Sequence, residues 1–337
     1  MHNETQEIAT KNHPYDTLTP DCVLDAVESL GFLSDGRIFP LNSYENRVYQ
    51  VGIEEQSPVI VKFYRPERWT TNQITEEHQF LFELKELEIP VVCPWQNADG
   101  QSLHTHNHFA FAVFPRQGGH APELDNMDNL VILGRMLGRI HQVGRVKAFS
   151  HRPSIDIASF GRASYQYLLN SDLLPYELKT AYETLGRDLL ETLEKQWPTQ
   201  GIEIQRIHGD CHPGNILWRD ELPHFVDFDD CRSGPCIQDL WMLLSGDRHQ
   251  QIQQLDEILS GYEEFSSFNL AELKLIEPLR TLRIMHYSAW LARRWTDPAF
   301  PKAFPWFNTA RYWSEHILEL REQLAALQEP PLALFSN

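Results

Sequence analysis

The chain has 337 residues, roughly twice the usual length of one domain, and this length predicts two lobes. Its 29 Lys and Arg residues against 47 Asp and Glu residues give a formal charge of −18, which argues against nucleic-acid and anionic-lipid partners. With 42% hydrophobic and 23% charged residues, the composition is that of a folded globular protein and excludes a largely disordered one.

The sequence also predicts a cellular compartment. No apolar run is long enough to span a bilayer, and residues 1–17 are polar and lack the hydrophobic segment of a signal peptide. The five cysteines are scattered and form no C-x-x-C pair, as in proteins of a reducing compartment. We therefore expect a cytoplasmic protein without disulfides, without a structural zinc site and without membrane insertion.

The N-terminal part of the chain predicts a sheet with one inserted helix. A capped amphipathic helix over 21–30 comes first, and apolar residues at helical spacing predict a second helix over 75–87. Runs rich in β-branched and aromatic residues predict five strands, at 37–41, 46–51, 58–64, 89–93 and 109–114. The first three of these runs read as an antiparallel meander.

From residue 125 onward the apolar residues recur mainly with a helical period. Helices are predicted at 130–141, 168–197, 237–244, 252–262, 270–294 and 309–327. Between two of them, the short runs 216–218 and 224–228 flank a turn-prone segment and predict a hairpin. Both periods break near 115–119. The predicted domains are thus a sheet lobe over 1–115 and a helical lobe over 116–337 that carries the catalytic loop and the acceptor site.

The strongest chemical signal is the run H-G-D-C-H-P-G-N from His208 to Asn215, followed by a strand that ends at Asp227. Phosphoryl transfer needs a carboxylate that accepts the proton of the attacking hydroxyl, and hard oxygen ligands for Mg²⁺. Asp210 offers the carboxylate, Asn215 offers an amide oxygen, and the hairpin returns Asp227 beside Asn215. A polar loop that only caps turns is the alternative, and the ordered set of residues disfavours it.

At this spacing the motif resembles that of the aminoglycoside phosphotransferase and choline kinase superfamily, distant relatives of eukaryotic protein kinases. The resemblance implies an α+β, two-lobed, protein-kinase-like fold, with an antiparallel sheet lobe and a mostly helical lobe. It implies that Asp210 is the catalytic base, that Asn215 and Asp227 bind magnesium, and that His208 braces the loop. Asp239 resembles the helix-borne aspartate that binds the loop backbone in this superfamily, which is a structural role.

A kinase-like site also needs a cation for the α- and β-phosphates, and Lys62 in the third predicted strand offers one. In the following helix, Glu77 falls on the buried stripe and is predicted to position the phosphates together with Lys62. Glu76 is the less favoured alternative. Taken alone, Lys62 also fits a surface lysine on an edge strand.

The segment predicted to cover the nucleotide is unusual, because neither G-x-G-x-x-G nor the Walker pattern is present. In their place, between the first two strands, Asn42 and Ser43 can turn tightly and offer backbone N–H groups and a hydroxyl to phosphate. A surface hairpin without a ligand is the alternative.

Longer matches resemble the bacterial stress response kinases over nearly the whole chain. These matches lie at 42–49, 61–69, 76–80, 208–212 and 239–244. That family is assigned as cytoplasmic serine/threonine protein kinases that autophosphorylate and that protect cells under envelope or oxidative stress. The resemblance therefore implies ATP as co-substrate, Mg²⁺ as cofactor, protein Ser/Thr acceptors, and Ser43 as a candidate autophosphorylation site.

The helix over 278–295 bears on the acceptor, because it is rich in cationic and aromatic side chains: Arg280, Arg283, His286, Tyr287, Trp290, Arg293 and Arg294. Such a surface suits an acidic, phosphorylated or peptide acceptor, although the arginines can equally pair with the protein's own carboxylates. We expect a monomer that acts on protein substrates.

Two other functions stay open from the sequence. A small-molecule alcohol kinase of choline, sugar or aminoglycoside type would use an aromatic cage made of Tyr287, Trp290, Trp295, Trp306 and Trp313. A pseudokinase that binds nucleotide without transferring phosphate is disfavoured, since every catalytic residue type is present.

Overall fold

The computed structural model describes residues 13–198 and 200–334, which fall into two compact units. The first unit consists of the described residues up to Thr70, Pro94–Arg116 and Thr296–Ala299. The second consists of Thr71–Cys93, Gln117–Trp295 and the described residues from Phe300 onward. The helix predicted over 75–87 thus groups with the helical unit.

The expectation about export depended on residues 1–17, of which 1–12 lie outside the described residues. Within the two described ranges, none of the helices combines the length and the apolar character that crossing a bilayer requires.

The first unit is an antiparallel sheet against which one helix packs. Helix α1 (Pro20–Glu28) begins after Thr19, whose hydroxyl accepts the backbone N–H of Cys22. The strands are β1 (Ser34–Pro40), β2 (Arg47–Ile53), β3 (Val59–Phe63), β4 (His104–His106) and β5 (Phe109–Pro115). Within the described residues they form one five-stranded sheet in the order β1-β2-β3-β5-β4. Its core includes Val27 of α1 and Phe63 of β3, which are both inaccessible to solvent.

The remaining helices are α2 (Thr71–Glu86), α3 (Met127–Val146), α4 (Ala163–Leu169), α5 (Tyr176–Gln196), α6 (Ile237–Trp241), α7 (Arg248–Tyr262), α8 (Ile276–Arg294), α9 (Ala299–Ala303) and α10 (Ala310–Ala326). Helices α3 and α7 pack closely because Gly134 has no side chain. A Cβ there would lie 1.9 Å from the carbonyl oxygen of Ile258.

Two of the helical predictions need correction. The segment 168–197 is two helices, α4 and α5, because Pro175 immediately before α5 has no N–H with which to continue a helix. The segment 270–294 begins with a 3₁₀ turn over Leu270–Leu275 and becomes α-helical only in α8. Helix α9 was not predicted.

Two short strand pairs frame the segment that carries the chemical motif. Strand β6 (Gln205–Ile207) pairs with β9 (Arg232–Gly234), which the sequence did not predict. Strand β7 (Ile216–Arg219) pairs with β8 (Leu222–Phe225), as predicted. Asp220 and Glu221 make the turn of this hairpin with φ of 52° and 60°, the left-handed conformation of a tight two-residue turn.

The prediction of a sheet strand over 89–93 is wrong. Its backbone groups bind β8 instead, since Phe225 N–H donates to Pro90 O at 2.9 Å and Phe225 O accepts Val92 N–H at 3.3 Å. The fifth strand of the sheet is β4, a three-residue strand that pairs with β5.

Candidate active site

The loop from His208 to Asn215 joins β6 to β7, and a buried carboxylate of α6 anchors it. The Asp239 side chain accepts the backbone N–H of His208 on Oδ2 and that of Gly209 on Oδ1, both at 2.8 Å. His141 Nε2 lies 3.0 Å from the same Oδ2. These bonds fix the start of the loop, because Asp239 and His141 are completely buried and cannot move independently of the core.

Gly209 and His208 shape the loop further. Gly209 has a φ of 83°, and a Cβ at this position would lie 2.5 Å from the carbonyl oxygen of Asp230, so only glycine fits. The His208 ring lies with Nε2 2.9 Å from Val226 O, and its Nδ1 accepts the backbone N–H of Asp210 at 3.3 Å. This pattern fits the tautomer with its proton on Nε2. His208 thereby ties the loop to the residue before Asp227.

Asn215 and Asp227 lie at the same end of the β7–β8 hairpin. The backbone N–H of Val226 donates to Asn215 O at 3.0 Å, which continues the pairing of the two strands. The Asn215 side chain donates through Nδ2 to Asp210 O at 2.9 Å. This bond uses an amide N–H, so it does not occupy Oδ1 of Asn215.

Asp210 pairs with one of the arginines of the helix predicted over 278–295, which agrees with the alternative that these arginines bind the protein's own carboxylates. Nη1 of Arg283, on α8, forms an ion pair with Asp210 Oδ1, and His212 Nε2 lies 3.6 Å from Asp210 Oδ2. Burial, together with Arg283, lowers the pKa of His212, and the attraction of Asp210 opposes this shift only in part. At neutral pH the strong charge beside Asp210 is therefore that of Arg283.

The segment from Ser43 to Asn46, here called the Ser43 segment, accepts hydrogen bonds from two arginines. Ser43 Oγ donates to Asn46 O at 3.2 Å. Nη1 of Arg47 donates to Tyr44 O at 3.0 Å, and Nη1 of Arg65 donates to Glu45 O at 3.3 Å. The carbonyl groups of this segment are thus turned towards the arginines.

Asp297 neutralises both arginines within the first unit. Its carboxylate accepts two hydrogen bonds of 3.0 Å from Arg47 Nη2 and one of 2.9 Å from Arg65 Nη1, and His13 Nε2 lies 2.8 Å away. The residue is 1% exposed. Burial alone would raise the pKa of Asp297, but bonds from Ala299 N–H, His13 and Arg65 hold it below its usual value. No pattern in the sequence singled out Asp297.

Lys62 lies on the central strand β3, where its register partners are Val48 of β2 and Ala112 of β5. The alternative of a surface lysine on an edge strand is therefore wrong. The residue is 6% exposed, and its Nζ lies 4.9 Å from the centre of the Tyr64 ring, within the range of a cation–π interaction.

Glu77 is 1% exposed and forms an ion pair of 3.0 Å with Nη2 of Arg152. Nη1 of Arg152 donates at 2.8 Å to the carbonyl groups of Asp229 and Cys231, and Nε donates at 2.8 Å to Gln73 O. Arg152 thereby fastens α2 to the segment that follows Asp227. The sequence did not single out Arg152.

The neighbouring Glu76 binds the backbone of residues 150–152 and not Arg152's side chain. Its carboxylate accepts the backbone N–H groups of Ser150, His151 and Arg152 at 2.6, 2.9 and 2.9 Å. Burial opposes ionisation, but these three bonds hold the pKa of Glu76 below its usual value. Glu76 is occupied as a cap for this loop, which favours Glu77 as the residue for the site.

The cysteines near the motif are not activated thiolates. All five cysteines of the chain are free and buried. Burial raises the pKa of Cys211 and Cys236 far above the usual value, and it raises that of Cys231 to about 12. These thiols stay protonated at neutral pH.

The five aromatic residues considered for a ligand cage do not form one. Trp313 is 0% exposed and belongs to the core. Trp290 packs edge-on against Phe300, with ring centres 5.0 Å apart, and Trp295 packs against Phe307 at 5.1 Å. A cage made of all five rings is wrong, because Trp313 lies in the core; Tyr287 and Trp306 are 40% and 44% exposed.

The chain is similar to known proteins in its sequence and in its fold. Residues 38–276 match the model of the family described as "Phosphotransferase enzyme family". The chain is 49% identical over 320 residues to stress response kinase A of Escherichia coli (strain K12), covering 95% of this chain and 97% of the relative. It is 48% identical, with the same coverage, to the serine/threonine protein kinase RdoA of Salmonella typhimurium (strain LT2).

Among solved structures, the amicoumacin kinase hAmiN, in complex with AMP-PNP, Ca²⁺ and Ami, is similar with a TM-score of 0.71. The two chains are 19% identical, and the match covers 94% of this chain and 95% of the other. These comparisons confirm the predicted fold class and the predicted resemblance to the bacterial stress response kinases.

Proposed function

The chain belongs to the phosphotransferase enzyme family and is a kinase, and from this premise we propose that it is an Mg²⁺- and ATP-dependent serine/threonine protein kinase. The observation that carries the chemistry is the loop in which Asp239 fixes Asp210 and Asn215 next to the strand leading to Asp227. The protein acceptor is supported by the relative named as a serine/threonine protein kinase. The burial of Trp313, one of the five aromatic residues considered for a cage, counts against a quaternary-ammonium acceptor.

In this proposal Asp210 acts as the general base. Its carboxylate accepts the proton of a Ser or Thr hydroxyl while the hydroxyl oxygen bonds to the γ-phosphorus of ATP. The bond from that phosphorus to the β–γ bridging oxygen breaks, and its electron pair leaves with ADP. The products are ADP, the phosphorylated side chain and a proton on Asp210.

The residues present fit a magnesium ion. Asn215 offers an amide oxygen that its bond to Asp210 O does not use, and Asp227 follows the same hairpin, so together they offer the hard oxygen donors that Mg²⁺ prefers. No group of three or more His, Cys, Asp and Glu side chains suited to a metal occurs within residues 13–198 and 200–334. Asn215 and Asp227 would therefore share the ion with phosphate oxygens. When bound, Mg²⁺ would neutralise part of the charge on these phosphates.

The remaining predicted residues receive supporting roles. We assign the α- and β-phosphates of ATP to Lys62, the covering of the phosphates to the Ser43 segment, and support of the phosphate site to Glu77. Ser43 is also the proposed autophosphorylation site. We place the protein in the cytoplasm as a monomer, with the N-terminal residues to 115 serving the nucleotide and residues 116–337 serving catalysis and the acceptor.

The test is incubation of the purified protein with γ-labelled ATP and Mg²⁺, alone and with a generic unfolded protein, followed by gel and mass analysis. Asp210→Asn removes the proton acceptor, so we expect phosphate transfer to fall by about 10²–10⁴-fold while ATP binding persists. Asp188→Asn, an exposed change on α5, is the matched control and should transfer phosphate normally.

Label on Ser or Thr that requires Asp210 would support the proposal, and label on Ser43 would identify the modified site. Near-normal transfer by Asp210→Asn would contradict the assignment of the base. If ATP binds but no protein is labelled, the function becomes that of a small-molecule alcohol kinase, which the fold similarity to an amicoumacin kinase also fits.

A further inference from the structure

The Asp210 carboxylate is not free in this structure, because Arg283 holds its Oδ1 atom. A hydrogen bond between a guanidinium and a carboxylate is roughly twice as strong as a neutral one. A hydroxyl that is to give its proton to Asp210 must therefore compete with Arg283. The Arg283 side chain is 40% exposed, so it can turn towards a ligand without unfolding its helix.

Arg283 also lines an open pocket of about 350 Å³ within the helical unit. Trp241, Arg280, Tyr287 and Glu319 are among the other residues that line it. Arg280 is already neutralised, since its Nη1 donates to Glu277 at 2.9 Å and its guanidinium stacks over Trp241. Arg283 differs from Arg280, because its carboxylate partner is the proposed base of the reaction.

We propose that the acceptor is a protein segment with an acidic residue beside its Ser or Thr, and that this residue's carboxylate takes Arg283 away from Asp210. The inference rests on the proposed function, which it deepens by naming the class of acceptor. An acidic acceptor exchanges one arginine–carboxylate pair for another and leaves Asp210 available for the hydroxyl. A neutral acceptor has to break the pair without replacing it.

The charge of the rest of the protein also supports the selection of an acidic acceptor at Arg283. The formal charge of −18 repels an acidic segment from most of the surface, so a local cation is needed to hold it. Arg283 supplies that cation at the atom where the acceptor hydroxyl must arrive. Arg283 thus couples the selection of the acceptor to the release of the Asp210 carboxylate.

The test compares two synthetic peptides that are identical except for Glu or Gln next to a single Ser. Wild type should phosphorylate the Glu peptide with at least tenfold higher kcat/KM. Arg283→Gln should abolish this preference and should phosphorylate the Gln peptide as fast as wild type or faster, since Asp210 is released. A purely structural loss would instead slow both peptides equally and would contradict the inference.

Two further variants control for folding and for general charge. Arg283→Lys keeps the charge and should keep most of the preference for Glu. Arg293→Gln, on the same helix but bound to Ala163 O, should leave the ratio unchanged. Loss of the preference in Arg293→Gln would show that general charge, and not Arg283, sets it.

The remaining outcomes separate this inference from the proposed function. Equal labelling of both peptides by wild type would overturn the inference and leave the protein kinase function intact. Failure to label either peptide also overturns it, and the generic unfolded protein in the same experiment shows whether the proposed function falls as well. A peptide with phosphoserine in place of Glu that is preferred by tenfold or more would overturn the assignment to a carboxylate.

Discussion

Asp297→Asn tests whether the buried carboxylate behind the Ser43 segment holds that segment in place. The substitution keeps the shape of the side chain but removes the negative charge that Arg47, Arg65 and His13 share. Arg65 is 6% exposed at its side chain and Asp297 is 1% exposed, so water cannot replace the lost charge. Removing one partner of a buried ion pair costs about 3–5 kcal/mol, and the retained amide should recover part of this.

We therefore expect the free energy of unfolding to fall by about 3 kcal/mol, which lowers Tm by roughly 4 °C in a chain of this length. The KM for ATP should rise several-fold, because Arg47 and Arg65 are then free to release the carbonyl groups of Tyr44 and Glu45. Thermal unfolding and steady-state kinetics at varied ATP concentration measure the two effects.

The control is Asp35→Asn, which removes the partner of the exposed Arg37 in the same unit. A surface ion pair contributes little, so this variant should keep both the Tm and the KM for ATP of the wild type. If Asp297→Asn lowers Tm no more than this control does, the carboxylate does not hold the segment and the reasoning is refuted.

Three further predictions concern Gly209, Arg152 and the pH dependence of stability. Gly209→Ala should lower kcat more than tenfold, because its Cβ would lie 2.5 Å from Asp230 O. Circular dichroism checks that the variant is folded, and normal turnover would contradict the backbone argument. Arg152→Lys keeps the charge next to Glu77 but loses the several N–H donors of the guanidinium. Its free energy of unfolding should therefore fall by about 2–4 kcal/mol in a denaturant titration. An unchanged midpoint would contradict this prediction. The folded-state pKa of Asp297 is depressed, so its stabilisation is present above the unfolded value and is lost as pH falls below about 4. Tm should therefore fall more steeply between pH 5 and 3 (roughly the titration range of an aspartate) in wild type than in Asp297→Asn, and parallel curves would speak against this.

Local patterns were enough to predict most elements. Helices α1, α3 and α10 and the β7–β8 hairpin follow from periodicity and turn residues within a short window. The prediction of one helix over 168–197 overlooked a local signal, Pro175, whereas the prediction over 89–93 failed because a distant partner determines its pairing. The segment 89–93 has strand-like residues, yet its backbone groups bind Phe225, more than a hundred residues away. No local pattern distinguishes that pairing from a place in the sheet.

The chemical motif was predictable because its parts are close together in the chain. Asp210 and Asn215 lie on one loop, and the hairpin that returns Asp227 is itself a local structure. The fixed spacing of these residues therefore carries the geometry of the site. Lys62 and Glu77 were predicted in the same way, from their positions on a strand and on the helix that follows it.

The charged partners of Asp210, Glu77 and the Ser43 segment were decided only by the tertiary structure. Arg283 is 73 residues from Asp210, Arg152 is 75 residues from Glu77, and Asp297 is 250 residues from Arg47. The charge of a buried arginine or aspartate shows that it needs a partner, but the sequence does not show which one. That choice depends on which elements pack together, because an ion pair forms only between side chains that the fold brings within a few ångströms. The sequence thus determined the chemical motif of this kinase, and the packing of distant segments determined how Asp210 and the Ser43 segment are held.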